Sequence, residues 1–255
     1  MSEIVHPPRS LLSAAGRAIG DYAMIKDGDR VLLGLSGGKD SLSLLHVLLH
    51  LQKKAPVKFE LAACTVDPQS DQFDPSPLKP YMAGLGVKYF YESQPIVAEA
   101  QKTLTRDTDS FCAYCSRMRR GILYRAAREN GYNVLALAQH LDDLAETHML
   151  SMFFGGKLRT MQAHYRIDAG DLRVIRPFIY VRERQTRAFA EVAGLPVIFE
   201  NCPACFAKPQ QRHAMKQMLA EQEKLHPKLF ASLLTAMKPL MGESQSAIDS
   251  DFIPE

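Results

Sequence analysis

Short apolar runs alternate with amphipathic segments along most of the chain. The apolar runs predict strands at Arg30 to Leu35, Phe59 to Val66, Val87 to Tyr91 and Val134 to Ala138. Helical spacing of apolar residues predicts helices at about Ser10 to Met24, Leu42 to Leu49, Leu78 to Leu85, Ile96 to Leu104, Ser116 to Asn130 and Asp142 to Phe153. Strands and helices that alternate in this way indicate a parallel twisted sheet with helices on both faces, and therefore an α/β fold.

The alternation weakens after Phe154. The later pattern predicts a strand at Val174 and Ile175, a helix from Glu183 to Ala193, a strand from Pro196 to Phe199, and helices from Gln210 to Leu225 and Pro227 to Met237. We expect an N-terminal helical segment (1–28), an α/β domain (29–200), a segment with a cysteine pair and additional C-terminal helices (201–241), and a flexible tail (242–255).

Composition excludes whole classes of protein. With 46% hydrophobic and 23% charged residues among 255, the chain is neither disordered nor collagen-like. The net charge of +3 does not decide for or against a nucleic-acid partner. An acid and two prolines near the N-terminus do not fit a secretory leader, and apolar stretches such as Val134 to Ala138 are far shorter than the roughly 18 residues of a membrane span. We therefore expect a cytoplasmic protein without a membrane partner.

A glycine-rich loop, Ser36-Gly37-Gly38-Lys39-Asp40-Ser41, follows the first predicted strand and opens a helix. Backbone N–H groups at such a helix start favour an anion, and Lys39 and the serines add a charge and hydroxyl donors. The loop is not a Walker A sequence, because Leu33 and Asp40 stand where glycine and serine or threonine are required. A phosphate site is favoured over an ordinary strand-to-helix turn.

Two acids, Asp142 and Asp143, open the helix after the strand Val134 to Ala138. Acids at a helix start also cap N–H groups, which is a sufficient explanation for either residue. With Asp40 they could instead hold Mg²⁺ against a nucleotide, since magnesium takes a few carboxylates together with phosphate oxygens.

Two C-x-x-C pairs, Cys112 with Cys115 and Cys202 with Cys205, are the main metal-site candidates. In a reducing compartment two such pairs favour a metal over a redox dithiol. Spacing alone leaves open a structural zinc site with four thiolates or an iron–sulfur cluster. The fifth cysteine, Cys64, lies in a predicted buried strand and is expected in the core.

Basic residues cluster in two places, on the helix after the first cysteine pair and in the stretch after Gly156. The clusters comprise Arg117, Arg119, Arg120, Arg125 and Arg128, and Lys157, Arg159, Arg166, Arg173, Arg176, Arg182, Arg184 and Arg187. Charge clusters are often solvated faces, but together these suggest a surface for an RNA backbone. Phe153, Phe154 and Tyr165 are candidates for stacking on a base, although for the two phenylalanines packing in the core is the favoured expectation.

The six residues of the glycine loop resemble the pyrophosphatase loop of PP-loop ATPases, which cleave ATP to AMP and pyrophosphate. A narrower likeness runs through Cys112 to Arg125, Gln139 to Asp143, Met152 to Lys157, Arg176 to Phe178 and the second cysteine pair. These stretches resemble the tRNA 2-thiocytidine synthetase (tRNA-cytidine 2-sulfurtransferase) family from about Gly16 to Met241. The chain departs from it at Gln139 and Leu141, where close relatives commonly have His and Arg.

This resemblance implies an adenine nucleotide alpha hydrolase-like fold, with ATP, Mg²⁺ and a 4Fe-4S cluster as cofactors. The implied reaction adenylates the C2 oxygen of a tRNA cytidine, expected to be cytidine 32 in the anticodon loop. Sulfur carried on an open iron then replaces that oxygen. A cysteine desulfurase or sulfide is the implied sulfur donor, and a homodimer is compatible with the resemblance.

The site residues expected from the pattern and from the resemblance together fall into four groups. They are catalytic Lys39, Asp40, Asp143 and Cys202; nucleotide-binding Ser36, Gly37, Gly38, Lys39, Asp40, Ser41, Val66, Asp67, Gln139 and His140; the cluster ligands Cys112, Cys115 and Cys205; and the RNA contacts Arg117, Arg119, Arg120, Lys157 and Arg159. Two alternatives stay open: sulfur transfer to another acceptor, such as a tRNA uridine or a small molecule, and a nucleotide- or RNA-binding module with a structural zinc.

Overall fold

Six strands form one sheet in this computed structural model, which describes residues 5–70, 72–104, 111–198 and 211–242. The strands are β1 (Asp29–Gly34), β2 (Phe59–Asp67), β3 (Lys88–Ser93), β4 (Val134–Ala136), β5 (His164–Arg166) and β6 (Arg173–Ile175). Their order is β3-β2-β1-β4-β6-β5, and every pair is parallel except β5 with β6. The predicted α/β class is confirmed, with one antiparallel edge strand that the sequence pattern did not predict.

Helices connect the strands and continue beyond the sheet. They are α1 (Arg9–Asp21), α2 (Lys39–Lys54), α3 (Leu78–Leu85), α4 (Ile96–Thr103), α5 (Phe111–Glu129), α6 (Leu141–Gly155), α7 (Glu183–Val192), α8 (Gln211–Leu225) and α9 (Leu229–Met237), followed by a 3₁₀ turn at Lys238–Leu240. None of the helices in the described ranges is long and apolar enough to cross a membrane.

The sheet separates two apolar cores. In β1, Val31 and Leu33 face a core shared with α1, α2, α3, α6 and α7, whereas Leu32 faces a smaller core shared with α4 and α5. This alternation follows from the two-residue period of a strand, and burial on both faces explains why β1 is apolar throughout its centre. Cys64 is in the smaller core with 1% exposure, as predicted.

The direction in which successive strands are added to the sheet reverses at β1, which pairs with β2 on one side and with β4 on the other. The chain runs outward from β1 to β2 and β3, and in the opposite sense from β4 to β6. In open α/β sheets, such a switch point leaves a crevice at the carboxyl ends of the strands, where ligands bind. The loops after β1 and β4 therefore flank the expected ligand crevice.

Some predicted boundaries were wrong. The strand predicted at Pro196 to Phe199 is not formed at 196–198: there Ile198 N donates to Gly37 O at 2.9 Å, so the segment meets the glycine loop rather than a sheet edge. Helix α5 begins at Phe111, earlier than the predicted Ser116. Phe199, the second cysteine pair and the tail beyond Gly242 lie outside the described residues.

Candidate functional site

A cavity of about 440 Å³ opens at the switch point. Its lining includes Gly34, Leu35, Ser36, Gly38, Asp40 and Ser41 around the glycine loop, Cys64 and Val66 from β2, Cys115, Ser116, Arg119 and Arg120 from α5, and Ala138, Gln139 and Asp143 around the start of α6. Residues predicted for the nucleotide, for the metal and for RNA therefore share one cavity.

The glycine loop is held by its own hydroxyl groups. Ser41 Oγ donates to Gly38 O at 3.0 Å, and Gly38 N donates to Ser36 Oγ at 3.3 Å. Gly37 has φ +85°, and a Cβ there would stand 2.8 Å from Ile198 Cδ1. Glycine is thus required at this position by both conformation and space. The loop leads directly into α2, whose N-terminal N–H groups favour an anion.

Lys39, the loop's cation, lies beside the cavity rather than in its lining. Its Nζ is 2.8 Å from Asp40 Oδ2 and 3.1 Å from Glu183 Oε1. Burial disfavours the ammonium, but Asp40 and Glu183 outweigh burial and raise the pKa of Lys39. The second oxygen of Asp40 accepts from Thr186 Oγ1. Neither α7 partner was predicted from the sequence, since nothing in the local pattern connects Glu183 or Thr186 to the loop.

Asp143 and His140 form a reciprocal cap at the start of α6. Asp143 N donates to His140 Nδ1 at 3.4 Å, and His140 N donates to Asp143 Oδ2 at 3.0 Å. The other ring nitrogen, Nε2, faces Asp40 Oδ2 at 3.7 Å. His140 itself is buried and links the two cavity carboxylates instead of lining the cavity.

Asp142 does not line the cavity, and its carboxylate binds the start of α7 instead. Its carboxylate accepts from Arg182 at 3.0 to 3.2 Å and from Glu183 N at 2.7 Å, which caps α7. The capping explanation therefore fits Asp142, although the helix that it caps is α7 rather than its own. The carboxylates left at the cavity for a cation are Asp40 and Asp143.

Gln139 lines the cavity and is oriented from behind by a buried arginine. Arg176 Nε donates to Gln139 Oε1 at 3.0 Å, and the Arg176 guanidinium also lies 5.4 Å from the centre of the Tyr165 ring. Since a guanidinium only donates, the Gln139 oxygen is held and its amide N–H groups are directed elsewhere. Desolvation lowers the pKa of Arg176.

Of the two nucleotide-binding candidates on β2, Val66 and Asp67, one lines the cavity and the other does not. Val66 lines the cavity, whereas Asp67 accepts from Tyr91 Oη and from Gln69 N and is not in the lining. Burial, followed by the nearby Asp67, raises the pKa of Tyr91 to about 12. Cys64 also borders the cavity, and burial followed by Glu92 raises its thiol pKa to about 12. Cys64 is therefore a protonated thiol in the wall.

The first cysteine pair lies on α5. Cys115 is half-buried in the cavity wall, and Cys112 precedes it by one helical turn. Residues three apart on a helix share a face, so both backbone positions are on the side of α5 that meets the cavity. Cys202 and Cys205 lie outside the described residues. Within the described part of the chain, no cluster of three or more His, Cys, Asp or Glu could hold a metal.

The predicted RNA contacts divide between two places. Arg119 and Arg120 line the cavity, and Arg117 is exposed on the same helix. Lys157 and Arg159 are exposed beyond the far end of α6, whose 15 residues span about 22 Å at 1.5 Å per residue. The structure therefore does not bring these two groups together.

Three members of the second basic cluster are not surface residues, contrary to the prediction. Arg173 and Arg176 are 5% and 6% exposed, and Arg173 pairs with Asp29 at 2.5 Å. Arg182 is held between Asp142 and Glu223. These arginines hold elements together, because each reaches a carboxylate or carbonyl from a distant segment.

The prediction that two phenylalanines pack in the core was also wrong. Phe153 and Phe154 are 51% and 58% exposed rather than in the core, because α6 extends past the apolar layer that it covers. Tyr165 is half-buried: its hydroxyl lies 3.2 Å from Tyr124 Oη, and the Arg176 guanidinium lies 5.4 Å from its ring centre. Its role in stacking on a base stays a prediction.

The fold and the glycine loop define a PP-loop protein, and a family model described as the PP-loop domain matches residues 12–202. The chain is 40% identical over 232 residues to the tRNA-cytidine(32) 2-sulfurtransferase of Geobacter sulfurreducens, covering 90% of this chain and 89% of the relative. It is 42% identical over 224 residues to the same enzyme of Vibrio cholerae serotype O1, covering 88% and 71%. The chain belongs to the tRNA-cytidine(32) 2-sulfurtransferase family.

The same fold is found in a solved structure. The U34-tRNA thiolase NcsA from Methanococcus maripaludis, described with its [4Fe-4S] cluster, superposes with a TM-score of 0.74 at 23% identity, covering 91% of this chain and 78% of that one. At this level of identity, the likeness establishes the shared architecture.

Proposed function

We propose that the protein uses ATP to thiolate tRNA at C2 of cytidine 32. The observation that carries this proposal is the single cavity lined by the glycine loop, by Cys115 and by Arg119 and Arg120. The cavity thus combines a loop suited to nucleotide phosphates, a thiol and two cations suited to RNA phosphates. ATP-dependent thiolation of tRNA needs all three. Membership of the family whose relatives carry this activity in their name supports the substrate assignment.

ATP would bind with its phosphates at the N–H groups of Ser36 to Ser41 at the start of α2. Lys39 would move from its carboxylate partners to the phosphates, where it neutralises charge that develops as pyrophosphate leaves. Asp40 and Asp143 are the carboxylates suited to Mg²⁺ there. Gln139, His140, Val66 and Asp67 would complete the nucleotide site, His140 and Asp67 by holding residues beside it.

The chemistry would proceed in two stages. The C2 oxygen of cytidine attacks the α-phosphate of ATP, forming an O-adenylated nucleotide and releasing pyrophosphate. Hydrosulfide then attacks C2 and forms the C–S bond, AMP leaves with the oxygen, and the remaining S–H proton is lost to solvent. A cysteine desulfurase would supply its sulfur as a persulfide, which two thiols must first reduce to hydrosulfide. Adenylation is needed because it turns a poor leaving group into a good one.

The cysteine chemistry fits an iron–sulfur group. Cys112 and Cys115 share a helix face at the cavity, and Cys205 is proposed as the third ligand. A cluster held by three thiolates would supply an open iron that can carry sulfur. Cys202 is proposed as an assisting thiol. The NcsA structure supports this assignment to the extent that the same fold accommodates such a cluster.

The tRNA would approach the open side of the cavity over α5. Arg119 and Arg120 would contact backbone phosphates beside the reacting nucleotide, and Arg117 would extend this surface along the helix. Lys157 and Arg159, at the far end of α6, would then contact a more distant part of the tRNA.

The proposal is tested with protein purified and reconstituted anaerobically. Iron and acid-labile sulfide are measured, and then ATP, sulfide and an unmodified tRNA transcript are added. We expect AMP and pyrophosphate to form together with 2-thiocytidine, and expect no product with a transcript carrying uridine at position 32. Stoichiometric zinc without sulfide would contradict the cluster, and equal thiolation of the uridine transcript or of a free nucleobase would contradict the substrate.

A further inference from the structure

The carboxylate of Glu183 joins two lysines from distant parts of the chain. Its Oε1 is 3.1 Å from Lys39 Nζ in the glycine loop, and its Oε2 is 2.6 Å from Lys216 Nζ on α8. Oε1 also accepts from Arg187 Nη2, one turn along α7, at 3.1 Å. The Glu183 side chain is only 13% exposed. Burial alone would raise its pKa, but the bonds and charges of Lys216 and Lys39 lower it to about 2. Glu183 is therefore a shared anion.

Helix α8 is docked next to this anion by further ion pairs. Glu223 accepts from Arg182 at 2.6 Å, and Arg212 donates to Glu146 at 3.1 Å. Met215 and Leu219 are buried between these charges. The Glu183 carboxylate therefore contacts both α8, through Lys216, and the lysine of the glycine loop, Lys39.

A bound triphosphate would compete for the same lysine. Lys39 is 2.8 Å from Asp40 Oδ2, and Asp40 lines the cavity, so the ammonium is one carboxylate away from the ligand space. To reach phosphate oxygens, Lys39 must leave Glu183. The energy of that exchange depends on how well the remaining partners of Glu183, Lys216 and the more exposed Arg187, balance its charge.

We infer that Glu183 is a positioning residue that couples the docking of α8 to the nucleotide affinity of the glycine loop; the inference rests on the proposed binding of ATP. Lys216 balances the Glu183 charge and so weakens its hold on Lys39. Because coupling is reciprocal, nucleotide binding strengthens the contact between Lys216 and Glu183 and secures α8.

Calorimetric dissociation constants for a non-hydrolysable ATP analogue test the coupling in the full chain. Glu183→Gln releases Lys39, and we expect the analogue to bind about 5-fold or more tightly, within the usual range of coupling between sites. Lys216→Gln removes one of the cations that neutralise Glu183, so Glu183 holds Lys39 more strongly. We expect the analogue to bind about 2- to 5-fold more weakly, the scale of a partly exposed ion pair. Matched controls on the same helices, Glu191→Gln and Lys224→Gln, should leave the affinity unchanged.

The double variant separates coupling from a long-range charge effect. If Lys216 acts through Glu183, Lys216→Gln has no effect in the Glu183→Gln background. Equal effects in both backgrounds would overturn the inference while leaving the proposed function intact. A wild-type chain that does not bind the analogue would overturn the proposed function as well.

A measurement on the wild type avoids any question of variant folding. Amide hydrogen exchange in α8 should slow when the analogue is added, because Lys216 then shares Glu183 with Arg187 alone and no longer with Lys39. Unchanged or faster exchange in α8, with the analogue bound, would contradict the coupling. Turnover supplies a further readout: Glu183→Gln should lower kcat together with the KM for ATP, since Lys39 is bound less tightly but also positioned less well.

Discussion

Gly37→Ala tests whether the loop is built against the segment that leads toward the second cysteine pair. At φ +85° an alanine costs about 1–2 kcal/mol, as it does for any L-residue in the left-handed region. The new Cβ would also stand 2.8 Å from Ile198 Cδ1, and relief of such overpacking costs about 1–3 kcal/mol. We expect the free energy of unfolding to fall by about 2–5 kcal/mol.

Gly28→Ala is the matched control. Gly28 has φ +79°, but a Cβ there would have no atom within 4 Å, so only the conformational cost of about 1–2 kcal/mol applies. Urea unfolding of both variants isolates the contact with Ile198 as their difference. In an Ile198→Ala background, which removes Cδ1 and Cγ1 but keeps Cβ at 3.2 Å, Gly37→Ala should cost less than it does in the wild type. Equal destabilisation by the two glycine variants in the wild-type background would refute the reasoning.

Three further predictions concern the core, the cysteines and acid stability. Asp29→Asn leaves the buried Arg173 without its carboxylate and should cost about 3–5 kcal/mol in urea unfolding, whereas a loss below about 1 kcal/mol would contradict a buried pair. Cys115→Ser should lower the iron content of anaerobically reconstituted protein while Cys64→Ser should not, and equal iron in both variants would remove Cys115 from the ligands. Because the Glu183 carboxyl pKa is depressed to about 2, its contribution of about 3 kcal/mol is present above pH 4.5 and is lost between pH 4.5 and 2. Over that interval Glu183→Gln should show a shallower fall in stability than the wild type, and parallel curves would contradict the assigned pKa.

The sequence could predict the elements whose signals are local. The apolar run of β1, the glycine loop and the start of α2 are adjacent in the chain. One continuous stretch of sequence therefore predicts both the strand–loop–helix structure and its phosphate site. β5 was missed because His164 to Arg166 has no apolar run, unlike the equally short β4 and β6, and its strand conformation is fixed by pairing with β6. Phe153 and Phe154 were misplaced because periodicity does not tell where a helix outruns the core.

The long-range polar contacts within the site could not be predicted from the sequence. The resemblance named Lys39 and Asp40, but their partners Glu183 and Thr186 come from α7, which only the folded sheet brings beside the loop. Likewise, Arg176 looked like part of a basic surface, although tertiary packing buries it behind Gln139. Charge along a chain does not distinguish a solvated arginine from a buried one.

Nucleoside mass spectrometry of tRNA is the most direct test of the central claim, cytidine thiolation dependent on the glycine loop. Total tRNA is compared from the parent strain, a strain lacking this chain, and the latter supplied with either the wild type or the Lys39→Met variant. We expect 2-thiocytidine to disappear with the chain and to return with the wild type but not with Lys39→Met. Unchanged 2-thiocytidine in the strain lacking the chain would contradict the account.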